Sequence, residues 1–207
     1  MWRKLLIAFS SLVFAFGILF VSILRTAAVK YDFYAPSGDS VMGDEVINIE
    51  YNLAFPGKVL PNSPLWPMKA LRDKVWLFIT TNKSRRAEIK LLFADKRLGA
   101  AKTLFESGNP EVGFSTLTKA EKYLSEASIL EKESRLEGDN TTEFQRRLAY
   151  ASLKHYQTIN EIKEIAPQDA IPQIVEIEKL SQKVYLDAKN ELQGKDLEYP
   201  ENPFDWN

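Results

Sequence analysis

The chain has 207 residues, of which 45% are apolar and 27% charged, and its formal net charge is -1. This length leaves room for one membrane segment and one domain with its own core, and it excludes two large domains. The chain has no cysteine, which excludes a disulfide framework and a thiolate zinc site.

Charge is sorted along the chain. Residues 1–30 sum to +4, 31–66 to -4, 67–108 to +6 and 109–207 to -7. A basic segment followed by an acidic one favours elements that pair inside the molecule over a nucleic-acid surface. The basic run also lacks the interleaved aromatic residues on which bases stack. We therefore expect no nucleic-acid partner.

An uncharged stretch of twenty residues runs from Leu5 to Leu24. At 1.5 Å per helical residue it would extend about 30 Å, the thickness of a bilayer core. Residues 1–30 are therefore predicted to form a cytoplasmic stub and a transmembrane helix, with the lipid bilayer as partner. The alternative is a cleaved secretory signal, which would give a mature chain that starts near Val29.

Orientation is predicted from the basic residues at the two ends of this stretch. Arg3, Lys4 and the amino group precede it, and Arg25 and Lys30 follow it. The small excess on the amino-terminal side predicts a cytoplasmic amino terminus and an extracytoplasmic bulk.

Residues 31–66 are predicted to be an extended stalk with a proline-rich lead-in. The four prolines and three glycines in this range cannot belong to one continuous helix. The alternation in Val46–Tyr51 indicates a short strand, which would lie on the domain as an extended piece.

From residue 67 to 194 the pattern predicts an all-α domain, an antiparallel bundle of four to five helices. Breaks fall at 81–83, 107–110, 138–140 and 166–169, and such short links indicate antiparallel neighbours. Each long helix has one apolar stripe at helical spacing. The stripe residues are Leu91, Ala94, Leu98, Ala101 and Phe105; Leu117, Ala120, Leu124 and Ala127; Phe144, Leu148, Ala151, Ile159 and Ile162; and Ile174, Ile177, Val184 and Ala188.

Two further segments flank or extend this bundle. The segment 67–81 is strongly apolar through Trp76, Leu77 and Phe78, which predicts that it completes the core. Residues 195–207 form an acidic tail with three aromatic residues. This tail is either a docking peptide or a segment that packs back onto the bundle.

His155 is the only histidine, and it falls on the apolar seam between Ala151 and Ile159. A di-metal bundle would need a Glu-x-x-His motif on each of two helices, but residue 152 is serine and no second histidine exists. A structural, hydrogen-bonded histidine is therefore the favoured interpretation. An envelope enzyme or metal-binding bundle that uses His155 and neighbouring carboxylates is the alternative.

The remaining charges predict solvated helix faces. Carboxylates of the third helical segment alternate with cations at i,i+3 and i,i+4 spacing. They are Glu121, Glu126, Glu131, Glu133 and Glu137. A basic run is expected to pair with these acidic helices; it comprises Lys83, Arg85, Arg86, Lys90, Lys96, Arg97 and Lys102. No catalytic, cofactor-binding or metal-binding residue is predicted.

Two stretches, 53–75 and 86–98, resemble the bacterial family called domain of unknown function 5667. The resemblance rests on Pro56-Gly57, the lead-in Leu60-Pro-Asn-Ser-Pro-Leu65, the pattern Lys69-x-Leu-x-x-x-Val75, and Arg86-Ala-Glu-Ile followed by Ala94-x-x-Arg-Leu98. It extends over roughly residues 51–194. Such a resemblance implies a domain that follows a signal or membrane anchor in bacteria, and it implies no known activity or cofactor.

Together these features predict a membrane-anchored extracytoplasmic domain that acts as an interaction or scaffold module in a bacterial envelope, with an envelope protein as a possible partner. No catalysis is expected. The prolines at 61, 64 and 67 would fix an extended path, and Leu65 and Trp66 would insert into the bundle.

Overall fold

The computed structural model describes residues 49–204 and 206, together with residues 2, 4, 7, 9–15, 17, 18 and 21. The domain contains five helices: α1 is Trp66–Ile79, α2 is Lys83–Glu106, α3 is Pro110–Leu136, α4 is Thr142–Ile165 and α5 is Ile171–Gln193. The described part of the chain contains no strand. The prediction of an all-α domain is confirmed.

The predicted transmembrane helix Leu5–Leu24 lies in large part outside the described residues. Those that are described, such as residues 9–15, are helical. Among the residues that the structure describes, no helix combines the length and the apolar character needed to cross a membrane. The predicted strand Val46–Tyr51 is described only at residues 49–51, and these residues are not a strand.

Helices α2 to α5 form a four-helix bundle. Each of α2 and α5 packs against both α3 and α4, whereas α3 and α4 touch only lightly. The link of residues 137–141 therefore crosses a diagonal of the bundle. Ion pairs from Lys90 to Glu126 and from Lys163 to Glu178 show that α2 runs antiparallel to α3, and α4 antiparallel to α5. The short links correctly predicted antiparallel directions, but α3 and α4 are not neighbours.

The predicted stripes form the core. All stripe residues are buried except Ile177, which is partly buried against the same core. Two glycines end helices as expected, because Gly108 and Gly138 follow α2 and α3 with φ of 73° and 99°. Pro110 is the first residue of α3, although the Asn109 side chain makes no capping hydrogen bond. Periodicity and helix-end signals were thus sufficient to locate the long helices.

The lead-in before α1 is irregular, as predicted, but it is part of the domain. Tyr51 and Ala54 are buried in the core. The Lys69 Nζ donates hydrogen bonds to the carbonyl oxygens of Pro56 and Val59 at 2.6 and 2.9 Å, which fastens the loop to α1. The expectation that Leu65 inserts into the bundle was wrong, because its side chain is 57% exposed. In the last turn before the helix Leu65 faces solvent, while Trp66 is half-buried.

The carboxyl-terminal tail packs back onto the bundle. Phe204 and Trp206 lie against the rings of Tyr156, at 4.6 and 5.1 Å between centroids, and Trp206 meets Tyr185 edge-on at 5.4 Å. The Tyr185 hydroxyl donates a 2.8 Å hydrogen bond to the Pro200 carbonyl. Of the two alternatives left open by the sequence, the described tail residues follow the second, since they cover aromatic side chains of α4 and α5.

Candidate functional site

A buried cluster of ionisable side chains lies at the centre of the bundle. The His155 ring on α4 contacts two carboxylates: its Nδ1 is 2.6 Å from Glu121 Oε1 on α3, and its Nε2 is 3.1 Å from Asp95 Oδ1 on α2. All three side chains have zero solvent exposure. The Tyr51 hydroxyl donates a 2.9 Å hydrogen bond to Asp95 Oδ2. We call Asp95, Glu121 and His155 the buried triad; Tyr51 is hydrogen-bonded to it.

The two carboxylates decide the protonation of the histidine. Burial by itself lowers the pKa of His155, because a cation is poorly solvated in the core. The charge of Glu121 and the hydrogen bonds with Asp95 and Glu121 outweigh burial and raise the pKa to about 9. His155 is therefore an imidazolium at neutral pH, and both of its ring nitrogens donate. The contacts of His155 with Glu121 and Asp95 thus join α4 to α3 and α2.

The triad buries two carboxyl groups beside one imidazole ring. Two carboxylates share one imidazolium, and the Glu121 Oε2 is a buried oxygen without a hydrogen-bond partner in the described part of the chain. Taking charges out of water costs several kcal/mol per ion in real proteins unless pairing is good. The triad therefore places three helices in register at an energetic cost that the surrounding core offsets.

The prediction that His155 lies on the apolar seam is confirmed, but the sequence did not identify its carboxylate partners. Glu121 was expected on a solvated face and is instead fully buried; Glu131, also expected there, is 5% exposed and accepts a 2.6 Å hydrogen bond from Thr141. Asp95 was not singled out. The signal for both was spacing, since Glu121 is four residues after Leu117 and Asp95 four residues after Leu91, each on an apolar stripe.

The triad is poorly arranged for metal or acid–base chemistry. The carboxylates contact opposite nitrogens of one imidazole, so their oxygens diverge from the ring and do not converge on a common point. Within the described ranges, no group of three or more histidine, aspartate or glutamate side chains is arranged to hold a metal ion. A general acid or base must also reach its substrate, and zero exposure at all three side chains prevents this. The geometry is structural.

A second buried cation lies between α1, α2 and α3. The Arg97 guanidinium is 4.4 Å from the ring centroid of Tyr123, 5.5 Å from that of Phe93 and 5.8 Å from that of Trp66. Burial lowers the pKa of Arg97 from its usual value. Aromatic faces attract a desolvated guanidinium, so this contact joins the start of α1 to α2 and α3.

The rest of the predicted basic run pairs mainly with acidic side chains. Lys83 bridges to Glu133 and Glu137, and Lys102 to Glu161. Arg85 and Lys90 also form ion pairs, with Glu88 and Glu126. The interpretation of a basic run paired with the acidic helices is confirmed for Lys83, Lys90 and Lys102, whereas Arg85 pairs within its own helix and Arg97 lies against aromatic rings.

A groove of about 640 Å³ runs between α3 and α5. Its walls are mostly charged, and Arg135 spans it by pairing with Glu131 at 3.2 Å and Glu191 at 2.8 Å. Ligand pockets are usually concave and apolar with a few convergent polar groups. This groove is open and its central cation is already neutralised, which makes it a weak binding site.

The outer side of α1 is apolar and exposed. Phe78 is 86% exposed, Met68 68% and Leu71 56%. Their positions, at spacings of three and seven residues, place them on one face of the helix. Trp76 points the other way, is 5% exposed and meets Phe93 edge-on at 5.8 Å. The expectation that the whole segment completes the core was therefore wrong for Phe78 and right for Trp76.

The chain matches a known protein family. Residues 58–169 match the model of the family described as Domain of unknown function (DUF5667). This range contains the Leu60–Leu65 lead-in and the helices α1, α2, α3 and α4, and it lies inside the range expected from the resemblance. No curated protein and no solved structure matches the chain.

Proposed function

We propose a function for this chain, which belongs to the DUF5667 family: it is a membrane-anchored, extracytoplasmic interaction or scaffold module of a bacterial envelope. The observation that carries the interaction role is the exposed apolar face of α1, defined by Leu65, Met68, Leu71, Phe78 and Ile79, each more than half exposed. Large contiguous apolar surface on a folded domain marks a site of interaction with a protein or a membrane.

The anchoring part of the proposal is supported by sequence. The twenty uncharged residues Leu5–Leu24 match the thickness of a bilayer core, and the basic residues around them favour a cytoplasmic amino terminus. The domain of residues 49–206 is then outside the cytoplasm, joined to the anchor by residues 25–48.

The absence of catalysis is also part of the proposal. The clustered ionisable side chains Asp95, Glu121 and His155 are sealed in the core. In the groove between α3 and α5, the cation Arg135 is already paired with Glu131 and Glu191. The domain thus presents an apolar surface and conceals its polar cluster, which suits binding.

The second candidate function is the envelope enzyme or metal-binding bundle centred on His155. The meeting of His155 with Glu121 and Asp95 favours it, since a histidine and two carboxylates are common metal ligands. It requires the core to open, and it predicts stoichiometric metal on the purified chain that is lost in His155→Gln. Metal content at background level in both chains contradicts it.

The test of the main proposal is location and topology of the full chain in a bacterial host. Intact mass shows whether residues 1–30 are retained, membrane fractionation shows whether the chain is anchored, and protease added outside intact spheroplasts shows which side the domain occupies. We expect a full-length, membrane-bound chain that is digested from outside.

The matched control is the same chain without residues 1–30, which we expect to leave the membrane fraction after a high-salt, high-pH wash. A wild-type chain shortened to a start near Val29 and free of the membrane would contradict the anchor. A membrane-bound chain that is protected from protease would contradict the orientation.

A further inference from the structure

We propose that the apolar face of α1 docks on the anionic lipid surface of the membrane that anchors the chain. The proposal rests on the proposed function above, and it names the partner of that surface. It is carried by the face itself, by the charges around it and by the length of chain that connects it to the predicted anchor.

The face has the chemistry of an interfacial helix. Residues Leu65, Met68, Leu71, Phe78 and Ile79 are all more than half exposed, although each would be stabilised by leaving water. Phe55, which is 71% exposed, precedes the Pro56 carbonyl that Lys69 of α1 holds, so it adds a second aromatic ring close to α1. A helix of 14 residues is about 21 Å long and lies flat on a bilayer without spanning it.

The charges around the face have one sign. Residues 55–79 contain four cations and one carboxylate. That carboxylate, Asp73, is buried, and Arg72 holds it in a 2.7 Å ion pair. The exposed charges of the segment are therefore the cations Lys58 and Lys74. Amphipathic helices with large apolar side chains and a cationic border bind anionic lipid surfaces, because burial of the apolar side chains and electrostatic attraction both favour binding.

The anchor would keep this face near lipid. Twenty-four residues, 25–48, separate Leu24 from Ile49, and even fully extended they reach no further than about 90 Å. Docking of a tethered domain is intramolecular, so a weak intrinsic affinity suffices to keep the face on the surface. Neither a second copy nor a soluble partner gains this advantage.

The opposite side of α1 packs against the rest of the domain. This packing determines the orientation of the domain on the membrane. Trp76 packs on Phe93, and Lys69 holds the lead-in loop. Because α1 packs on α2, and α5 lies across the diagonal from α2, the surface of α5 would point away from the membrane. This asymmetry supplies a matched control position.

The experiment uses the absence of cysteine from the natural chain. A nitroxide label is attached to the full chain at Leu71→Cys on the α1 face or at Val175→Cys, an exposed apolar position on α5. Each labelled chain is placed in nanodiscs of phosphatidylcholine with phosphatidylglycerol and in discs of phosphatidylcholine alone. The collision rates of the label with oxygen and with a water-soluble nickel complex report its depth.

In anionic discs we expect the Leu71 label to collide more with oxygen than with nickel, as a label in lipid does, and the Val175 label to show the reverse. Lys74→Glu should lower the ratio of docked to undocked domains on the order of tenfold, since a charge near an anionic surface contributes about one kcal/mol and the change reverses it. The same variant should have little effect in neutral discs.

Several results would overturn the docking. A Leu71 label as accessible to nickel as the Val175 label in both lipids would do so, and so would dipolar broadening between two labels at position 71, which indicates a second copy as the occupant. Capture of a protein instead of lipid by a photo-crosslinker at position 71 in native membranes would assign the face to a protein partner.

Failure of the anchor is distinguishable from failure of the docking by retention on the discs. A chain retained by anionic discs and lost from neutral ones would contradict the anchor and support the docking. A chain retained by both, with an aqueous label at position 71, would contradict the docking alone. Loss from both kinds of disc would overturn both.

Discussion

The Oε1 of Glu121 lies 2.6 Å from Nδ1 of His155, across the diagonal of the bundle and out of contact with water. The pair joins two helices whose backbones touch only lightly. Because Asp95 occupies the other ring nitrogen, the single histidine links α2, α3 and α4. Its removal tests how far the register of the bundle depends on this contact.

We expect His155→Ala to lower the free energy of unfolding by about 3–5 kcal/mol, since it leaves two buried carboxylates without their cation and adds a cavity. Urea unfolding of the full chain in detergent, followed by circular dichroism, measures the loss. The control is Lys179→Ala, which breaks the exposed pair with Glu176 and should change stability by less than about 1 kcal/mol. Equal effects of the two changes would contradict a structural role for the triad.

The charge of His155 predicts a pH dependence of stability. Its pKa is raised from 6.5 to about 9 in the folded chain. The stabilisation from the charged form is therefore complete below about pH 6.5 and is lost as the pH rises through 9; it amounts to roughly 3 kcal/mol. The groups that face the ring are Asp95, Glu121 and, through Asp95, Tyr51.

We expect the stability difference between the wild-type chain and His155→Gln to shrink steadily between pH 6.5 and 9. Urea unfolding of both chains at a series of pH values measures this difference. Subtracting the two free energies of unfolding at each pH cancels the contributions of titrating groups that the chains share. A difference that stays constant over this range would show that His155 is neutral in the folded chain.

The fold was largely predictable from sequence because the apolar residues of each long helix recur at helical spacing. The apolar stripes that contain Leu98, Leu124, Leu148 and Val184 predicted the buried face of each helix. The glycine and proline signals predicted where the helices end. The diagonal placement of α3 and α4 was not predictable. It depends on how four apolar stripes of different width pack together, and a short link constrains only direction.

The triad was half predictable. A polar residue on an apolar stripe is visible in sequence, and His155 was recognised on this basis. Glu121 fits two patterns: it lies on an apolar stripe, and it also has cations at helical spacing as on a salt-bridged surface. The sequence does not show which of these two environments it occupies. Which buried groups meet depends on the axial register of α2, α3 and α4, a property of the assembled core that no single helix encodes.

At Gly113, α3 packs closely against the Phe105 ring of α2. A Cβ at this position would lie 2.9 Å from Cδ2 of Phe105, well inside contact distance. Gly113→Ala gains about 1 kcal/mol of helix propensity but loses about 1–3 kcal/mol to overpacking, so we expect net destabilisation on the order of 1 kcal/mol. In the background of Phe105→Leu the same change should become neutral or stabilising. Thermal unfolding of the four chains measures the coupling, and strict additivity would contradict the close contact.

Lys69 fastens the lead-in to α1 through two backbone carbonyls, and burial lowers its pKa to about 8. Gly57, in the same loop, has a φ of 81°, which a residue with a Cβ rarely adopts. We expect Lys69→Met to release the loop and to accelerate tryptic cleavage after Lys58 several-fold. Lys74→Met, at an exposed lysine of the same helix, is the control. Unchanged cleavage in Lys69→Met would show that the loop is held by other contacts.

The aromatic tail is expected to stabilise the bundle through the surface that it covers on α4 and α5. Trp206→Ala removes a ring that touches both Tyr156 and Tyr185, and it should cost about 1–3 kcal/mol, since the indole is only partly buried. Tyr185→Phe removes only the hydrogen bond to Pro200, worth about 1 kcal/mol. Because both changes detach the same segment, their combined effect should be smaller than the sum. Thermal unfolding of the two single variants and the double variant tests this expectation. A tail that docks on another protein instead would leave all three chains as stable as the wild type.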